Sequence, residues 1–397
     1  MNEWKTYKLG KICDLVAGFA FKSKDFGLYP NKVVKIADIQ PPIVSTTDLS
    51  GVNISSYDTS KLQKYVVKNG DYVLAMTGAT IGKLGRIVNN IEAYVNQRVL
   101  TFRPNISIVD KDFLYYQLSS ICFNKYILNH IDSETAQPNI SAGSIGQYEI
   151  QLPPLDKQKA IANILKSLDE KIKTNCRIND NLEQQAQALY KQWFVDNRSE
   201  DWEEVKLSQI VDINKDSINP SLYPNTIFEH YSLPAYDAGI LPVCEKGSDI
   251  KSSKFIINDN VILFSKLNPR IKRIWLPNPQ TEHAICSTEF VPYQPKKSEM
   301  LGFCYSLLNS DDFYDFVLSL TNGSTGSHQR FHPKDTLDYN FRVPKIETIS
   351  EFEDKVIPLY RIISKNRIEN QKLAALRDTL LPKLMSGELS VDDVLVD

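Results

Sequence analysis

Two short cationic segments carry the side chains best suited to binding chemistry. Residues 77–86 (TGATIGKLGR) hold Lys83 and Arg86 in a Gly-rich stretch, and residues 265–273 (SKLNPRIKR) hold Lys266, Arg270, Lys272 and Arg273. Lys and Arg at such density can neutralise phosphates, while Asn and Arg among them can pair with base edges. The first segment is no nucleotide loop: three residues, not four, separate Gly78 from Gly82, and Leu84 stands where a metal-binding hydroxyl is required. His328 and His332 stand four apart, a spacing that could hold a metal on a helix, but Gly323, Gly326 and Pro333 point to a loop and no third ligand is apparent. The Pro-Pro pairs follow Gln40 and Leu152, so neither forms the Asn/Asp-Pro-Pro-aromatic motif of an adenine or cytosine methyltransferase. No catalytic residue and no metal site are expected.

Each cationic segment follows a hydrophobic strand introduced by an Asn/Gly or Asn/Asp turn, residues 69–74 (NGDYVL) and 258–264 (NDNVILF). Short helices are predicted near Phe113 to Ser119 and Phe303 to Leu308. Residues 4–12 (WKTYKLGKI) resemble residues 202–210 (WEEVKLSQI), and each half ends in an apolar-Pro boundary, Leu152-Pro153-Pro154 or Val343-Pro344. The halves are therefore copies of one plan.

A helical stripe follows each half. Ile161, Leu165, Leu168, Ile172, Asn175, Asn179, Leu182, Ala186, Leu189 and Trp193 alternate steps of four and three, the spacing of a coiled-coil seam. The same register returns 191 residues later in Phe352, Val356, Leu359, Ile363, Asn366, Asn370, Leu373, Arg377, Leu380 and Leu384. A seam Asn costs stability unless another faces it, so Asn175, Asn179, Asn366 and Asn370 are expected to set register, with Asn175 near Asn370 and Asn179 near Asn366 in an antiparallel pair. The resulting rod measures roughly 50 Å at 1.5 Å per residue. The predicted fold is mixed α/β: two globular domains separated by two long antiparallel coiled-coil helices, with pseudo-two-fold internal repetition. The expected boundaries are 1–154, 155–198 for the central helix, 199–345, and 346–397 for the distal helix.

Composition narrows the class. The 397 residues carry 46 Lys and Arg against 48 Asp and Glu, a net charge of -2, so any nucleic-acid contact must come from local clusters. Six scattered cysteines, without a C-x-x-C pair, suit neither zinc nor a disulfide framework. There is no apolar run near 18 residues, and Met1 is followed at once by Asn2, Glu3, Trp4 and Lys5, so a soluble cytoplasmic chain with no membrane partner is expected.

Residues 137–141 (QPNIS), residues 150–155 (IQLPPL) and the long helix from Lys157 resemble the junction between recognition domain and central helix in specificity subunits of type I restriction-modification systems. Residues 379–389 (TLLPKLMSGEL) resemble the end of their distal helix. Lys157-Gln158 departs from the family's Glu-Gln, and the second junction, Val343-Pro344-Lys345-Ile346, is degenerate. The resemblance implies a chain without chemistry or cofactor of its own, whose two domains each read one half of a bipartite, asymmetric site in double-stranded DNA while the helices set the gap. It further implies two methyltransferase (M) subunits using S-adenosylmethionine, and restriction (R) subunits using ATP and Mg. On that reading Lys83 and Arg86 suit phosphates in the first domain, and Arg98, Gln137 and Asn139 suit base edges or groove walls. In the second, Lys266, Lys272 and Arg273 suit phosphates, and Asn268, Arg270, Gln329 and Arg330 suit bases. The alternative is a non-enzymatic scaffold whose duplicated domains bind protein. Salt-dependent duplex binding separates the two.

Overall fold

The computed structural model describes residues 4–132, 138–321 and 329–391. The chain divides into two compact units, Met1–Glu170 with Ala374–Asp397, and Lys171–Leu373.

In the first unit, the apolar run after the Gly70 turn becomes strand Tyr72–Ala75, buried along its whole length because both of its faces are covered. It lies between Val99–Pro104 and Leu84–Arg86 in a six-stranded sheet. A second, four-stranded sheet has Glu92–Val95 parallel to Phe26–Val34 and antiparallel to Val66–Lys68. Lys5–Lys8 pairs with Glu149–Leu152, which closes the domain beside the start of the long helix Leu155–Tyr190. Helix Lys111–Leu118 is capped by the Asp110 carboxylate, which accepts from the amides of Asp112 and Phe113. Its Phe113, Leu114 and Tyr116 join Ile161 and Leu165 of the first long helix and Leu384 of the second in one core.

The second unit repeats this connectivity with other side chains. Strand Ile262–Ser265 lies between Phe290–Pro295 and Ile274–Trp275, Ala284–Cys286 runs parallel to Ile227–Tyr231 and antiparallel to Lys254–Ile256, and Glu203–Lys206 pairs with Asn340–Val343. Helix Leu301–Leu308 packs on the start of the long helix Ile346–Ser386. There the Glu353 carboxylate accepts from the amides of Gly302 (3.0 Å) and Phe303 (2.6 Å), occupying the positive end of a helix dipole. Burial nevertheless outweighs those hydrogen bonds and pushes its carboxyl up to about 7.

The repeated stripe is the buried or half-buried face of both long helices, of 36 and 41 residues. Within the second unit, Asn175 Nδ2 donates to Asn370 Oδ1 and to Glu369 Oε2, both at 2.8 Å, and Asn366 Nδ2 donates to Asn179 Oδ1 at 2.9 Å. Rising numbers on one helix meet falling numbers on the other, so the pair is antiparallel. Within the first unit Arg377, at a seam position, donates to Asp169 at 2.7 Å, and Tyr116 of the globular domain donates to the other oxygen of the same carboxylate, also at 2.7 Å. No helix among the described residues is long and apolar enough to cross a membrane.

Candidate nucleic-acid interface

In the first domain the loop after Tyr72–Ala75 is fastened from both sides. Gly82 N–H donates to the Ala75 carbonyl and Ala75 N–H to that of Lys83, closing the turn on itself. Met76 N–H donates to the Arg98 carbonyl, Gly78 N–H and the Thr77 hydroxyl donate to the Pro138 carbonyl, and Thr77 bridges Asn139. Three segments far apart in sequence thus converge, bringing Lys83, Arg98 and Asn139 onto one backbone frame. Gln137 lies outside the described residues.

The second domain has the same frame at a nearly constant offset. Ser265 N–H donates to the Arg273 carbonyl, Lys266 N–H to that of Glu289 and Asn268 N–H to that of Gln329, and Leu267 bridges Arg330. Asn268 adopts φ +49° where Gly78 adopts φ +72°, a left-handed turn that Asn tolerates better than other side chains. The frame puts Arg273 in the place of Lys83, Glu289 in that of Arg98, and Arg330 in that of Asn139. These equivalences follow the 190–191 residue offset that also relates the long helices, a signal present in the sequence once the offset is applied to the loops.

The side chains divide into two groups. Lys83, Arg98 and Arg270 are exposed and Lys266 is half-buried, and none of the four has an ionic partner among the described residues. Arg86, Lys272 and Arg273 are not free for phosphates, which corrects the expectation from spacing. Arg86 pairs with Asp112 at 2.8 Å and lies over the Tyr115 ring at 4.0 Å from its centre. Burial would raise the Asp112 carboxyl, but the Arg86 and Lys166 charges outweigh it and hold the group below the ordinary value. Lys272 donates to the Asn309 carbonyl beside the Tyr314 ring, and burial lowers its proton affinity. Arg273, whose side chain is 12% exposed, grips both oxygens of Asp237 at 2.7 and 2.9 Å. Arg330 is exposed but pairs with both oxygens of Glu289, at 3.1 and 3.0 Å. Asn268 keeps a buried Oδ1 that accepts from no group among the described residues, and Gln329 contributes its backbone carbonyl to the frame. Local carboxylates, invisible to a reading by cluster, therefore decide which cations face solvent uncommitted.

Of the histidine pair considered for a metal, His328 lies outside the described residues and His332 pairs with Asp335 at 3.5 Å. Among the described residues no group of three or more His, Cys, Asp or Glu stands close enough to hold a metal ion.

Residues 1–184 match the family described as type I restriction modification DNA specificity domain. The chain is 23% identical to the type I restriction enzyme HindI specificity subunit of Haemophilus influenzae, across 98% of this chain and 100% of that one. It is 24% identical to the MjaIX specificity subunit of Methanocaldococcus jannaschii, across 81% of this chain and 78% of that one. Its fold is similar to the crystal structure of a type I restriction-modification S subunit from M. genitalium, with a TM-score of 0.63 at 16% identity over 96% of each chain. Residues 1–184 thus match the DNA specificity domain family, and over most of its length the chain is similar to specificity subunits of type I restriction enzymes and shares the fold of an S subunit.

Proposed function

We propose that each globular domain reads one half of a bipartite, asymmetric duplex site through the frame described above, and that the long helices set the gap between the halves and dock two methyltransferase subunits. The observation that carries this reading is one backbone frame used twice with different side chains. Constant hydrogen bonds aim the loops, while Lys83, Arg98 and Asn139 in one copy are replaced by Arg273, Glu289 and Arg330 in the other. Two such surfaces suit two different half-sites. Lys83, Arg98, Lys266 and Arg270 hold phosphates or groove walls, and Asn139, Asn268 and Gln329 read base edges, with Arg330 held to Glu289 beside them. Gln137, two residues before Asn139 in the sequence, is proposed for the same task.

The chain performs no chemistry itself. S-adenosylmethionine, ATP and Mg are used by its methyltransferase and restriction partners in the cytoplasm. Half-sites roughly one duplex turn apart, on the order of 34 Å, would let both domains approach the same side of the helix. Sequencing modified bases in cells that carry this subunit with its methyltransferase tests the reading. An interrupted, asymmetric adenine-methylation site is expected, and a continuous or palindromic site would overturn it.

A further inference from the structure

The recognition loops of the two domains differ in nearly every side chain, so a surface feature that both retain calls for a ligand that both share. The tetrapeptide Leu-Tyr-Pro-Asn occurs at residues 28–31 and again at 222–225. The first copy lies within Phe26–Val34 and the second just before Ile227–Tyr231, the equivalent strands that pair in parallel with Glu92–Val95 and Ala284–Cys286. In the first domain Gly27 and Lys32 both pair with Gly51, so residues 28–31 are pushed out of the ladder. In the second, the tetrapeptide overlaps the turn Pro220–Leu222, and Tyr223 N–H donates to the Pro220 carbonyl at 2.9 Å. The backbones differ, yet the side chains protrude in both: Leu28 and Leu222 are 107% and 73% exposed, Tyr29 and Tyr223 37% and 52%.

A leucine this exposed adds almost nothing to the packing of its own domain, so the fold gives no reason for its repetition. Protruding Leu and Tyr beside Pro, with neither cation nor acid in the tetrapeptide, have the character of anchors that fill an apolar pocket. A wedge between base pairs is the competing use. It must first unstack the bases, at a cost of the same order as the gain from burying one leucine, whereas a preformed pocket imposes no such cost. We infer that Leu28-Tyr29 and Leu222-Tyr223 are twin apolar knobs, each seated in a pocket on one copy of the methyltransferase subunit. The inference rests on the reading that two such subunits assemble with this chain, and it adds a contact on the recognition domains distinct from the long helices. A partner taken twice meets one knob per copy, which is why the knobs match while the base-reading loops do not.

The test is a titration of the full-length chain with its methyltransferase subunit, followed by native mass spectrometry, for wild type, Leu28→Asp, Leu222→Asp and the double variant. Milder Leu28→Ser and Leu222→Ser variants decide the matter should the charged ones not fold. Each single substitution should weaken one of the two binding events about tenfold and the double both, since an apolar anchor loses its pocket. Duplex affinity of the fully assembled complex should stay unchanged. Undiminished assembly by the double variant would overturn the inference, and undiminished assembly with weakened duplex binding would assign the knobs to DNA instead. A wild-type chain that binds no methyltransferase subunit would overturn the assembly reading itself, and this inference with it.

Discussion

The cations of the second domain make opposite predictions according to what they touch. Lys266 and Arg270 have no ionic partner among the described residues, whereas Lys272 donates to the Asn309 carbonyl and Arg273 to Asp237. Each phosphate contact adds about 0.9 to the slope of log affinity against log salt, so Lys266→Ala with Arg270→Ala should flatten the slope by up to about 1.8. Between 50 and 200 mM salt, that makes the wild type lose roughly tenfold more affinity than the variant. Lys272→Ala with Arg273→Ala should leave the slope unchanged and lower stability by about 1–2 kcal/mol, mostly through the part-buried charged hydrogen bond of Lys272, because Asp237 is half-exposed and its ion pair is screened. Fluorescence anisotropy of a labelled duplex with the assembled complex reads the slope, and urea unfolding of the chain reads stability. A slope that falls for the second pair and not for the first would refute the reasoning from ion-pair commitment.

Asn175→Leu alone should cost about 1–2 kcal/mol in urea unfolding by stranding the Asn370 side-chain oxygen, while Asn175→Leu with Asn370→Leu should lie within about 1 kcal/mol of wild type. The double variant should also methylate sites whose gap is one base pair too long or too short, and undiminished gap discrimination would count against the helices as a ruler. For Glu353, burial raises the folded-state pKa from 4.5 to about 7, so its stabilising contribution is full below about pH 4.5 and is lost as pH rises through about 7. Relative to Glu353→Gln, the wild type should therefore lose up to about 3 kcal/mol between pH 4.5 and 8, and parallel stability profiles would exclude that burial effect. Replacing residues 1–150 with the matching domain of another such subunit should change one half of the methylated site and leave the other half and the gap intact. A change in both halves would sink the modular reading.

The long helices and their pairing were legible in the residues, because a seam is a periodic, local property and a buried Asn finds its partner only at one alignment. Asn175 and Asn370, Asn179 and Asn366 meet because any other register leaves a polar amide facing apolar carbons. The duplicated strands were legible for a similar reason: a buried strand needs an apolar run after a turn, and both runs stand in the sequence. The interface was legible only as clusters. Whether Arg86 or Arg98 faces solvent uncommitted depends on Asp112, which the fold brings to Arg86 and to no other member of the cluster. Arg273 likewise meets Asp237 from a helix 36 residues away in sequence. Such pairings depend on contacts between distant segments, and an acid 26 or 36 residues off carries no local signal. Local periodicity and turn chemistry determined the elements, while the tertiary structure decided which charges those elements neutralise and which they present.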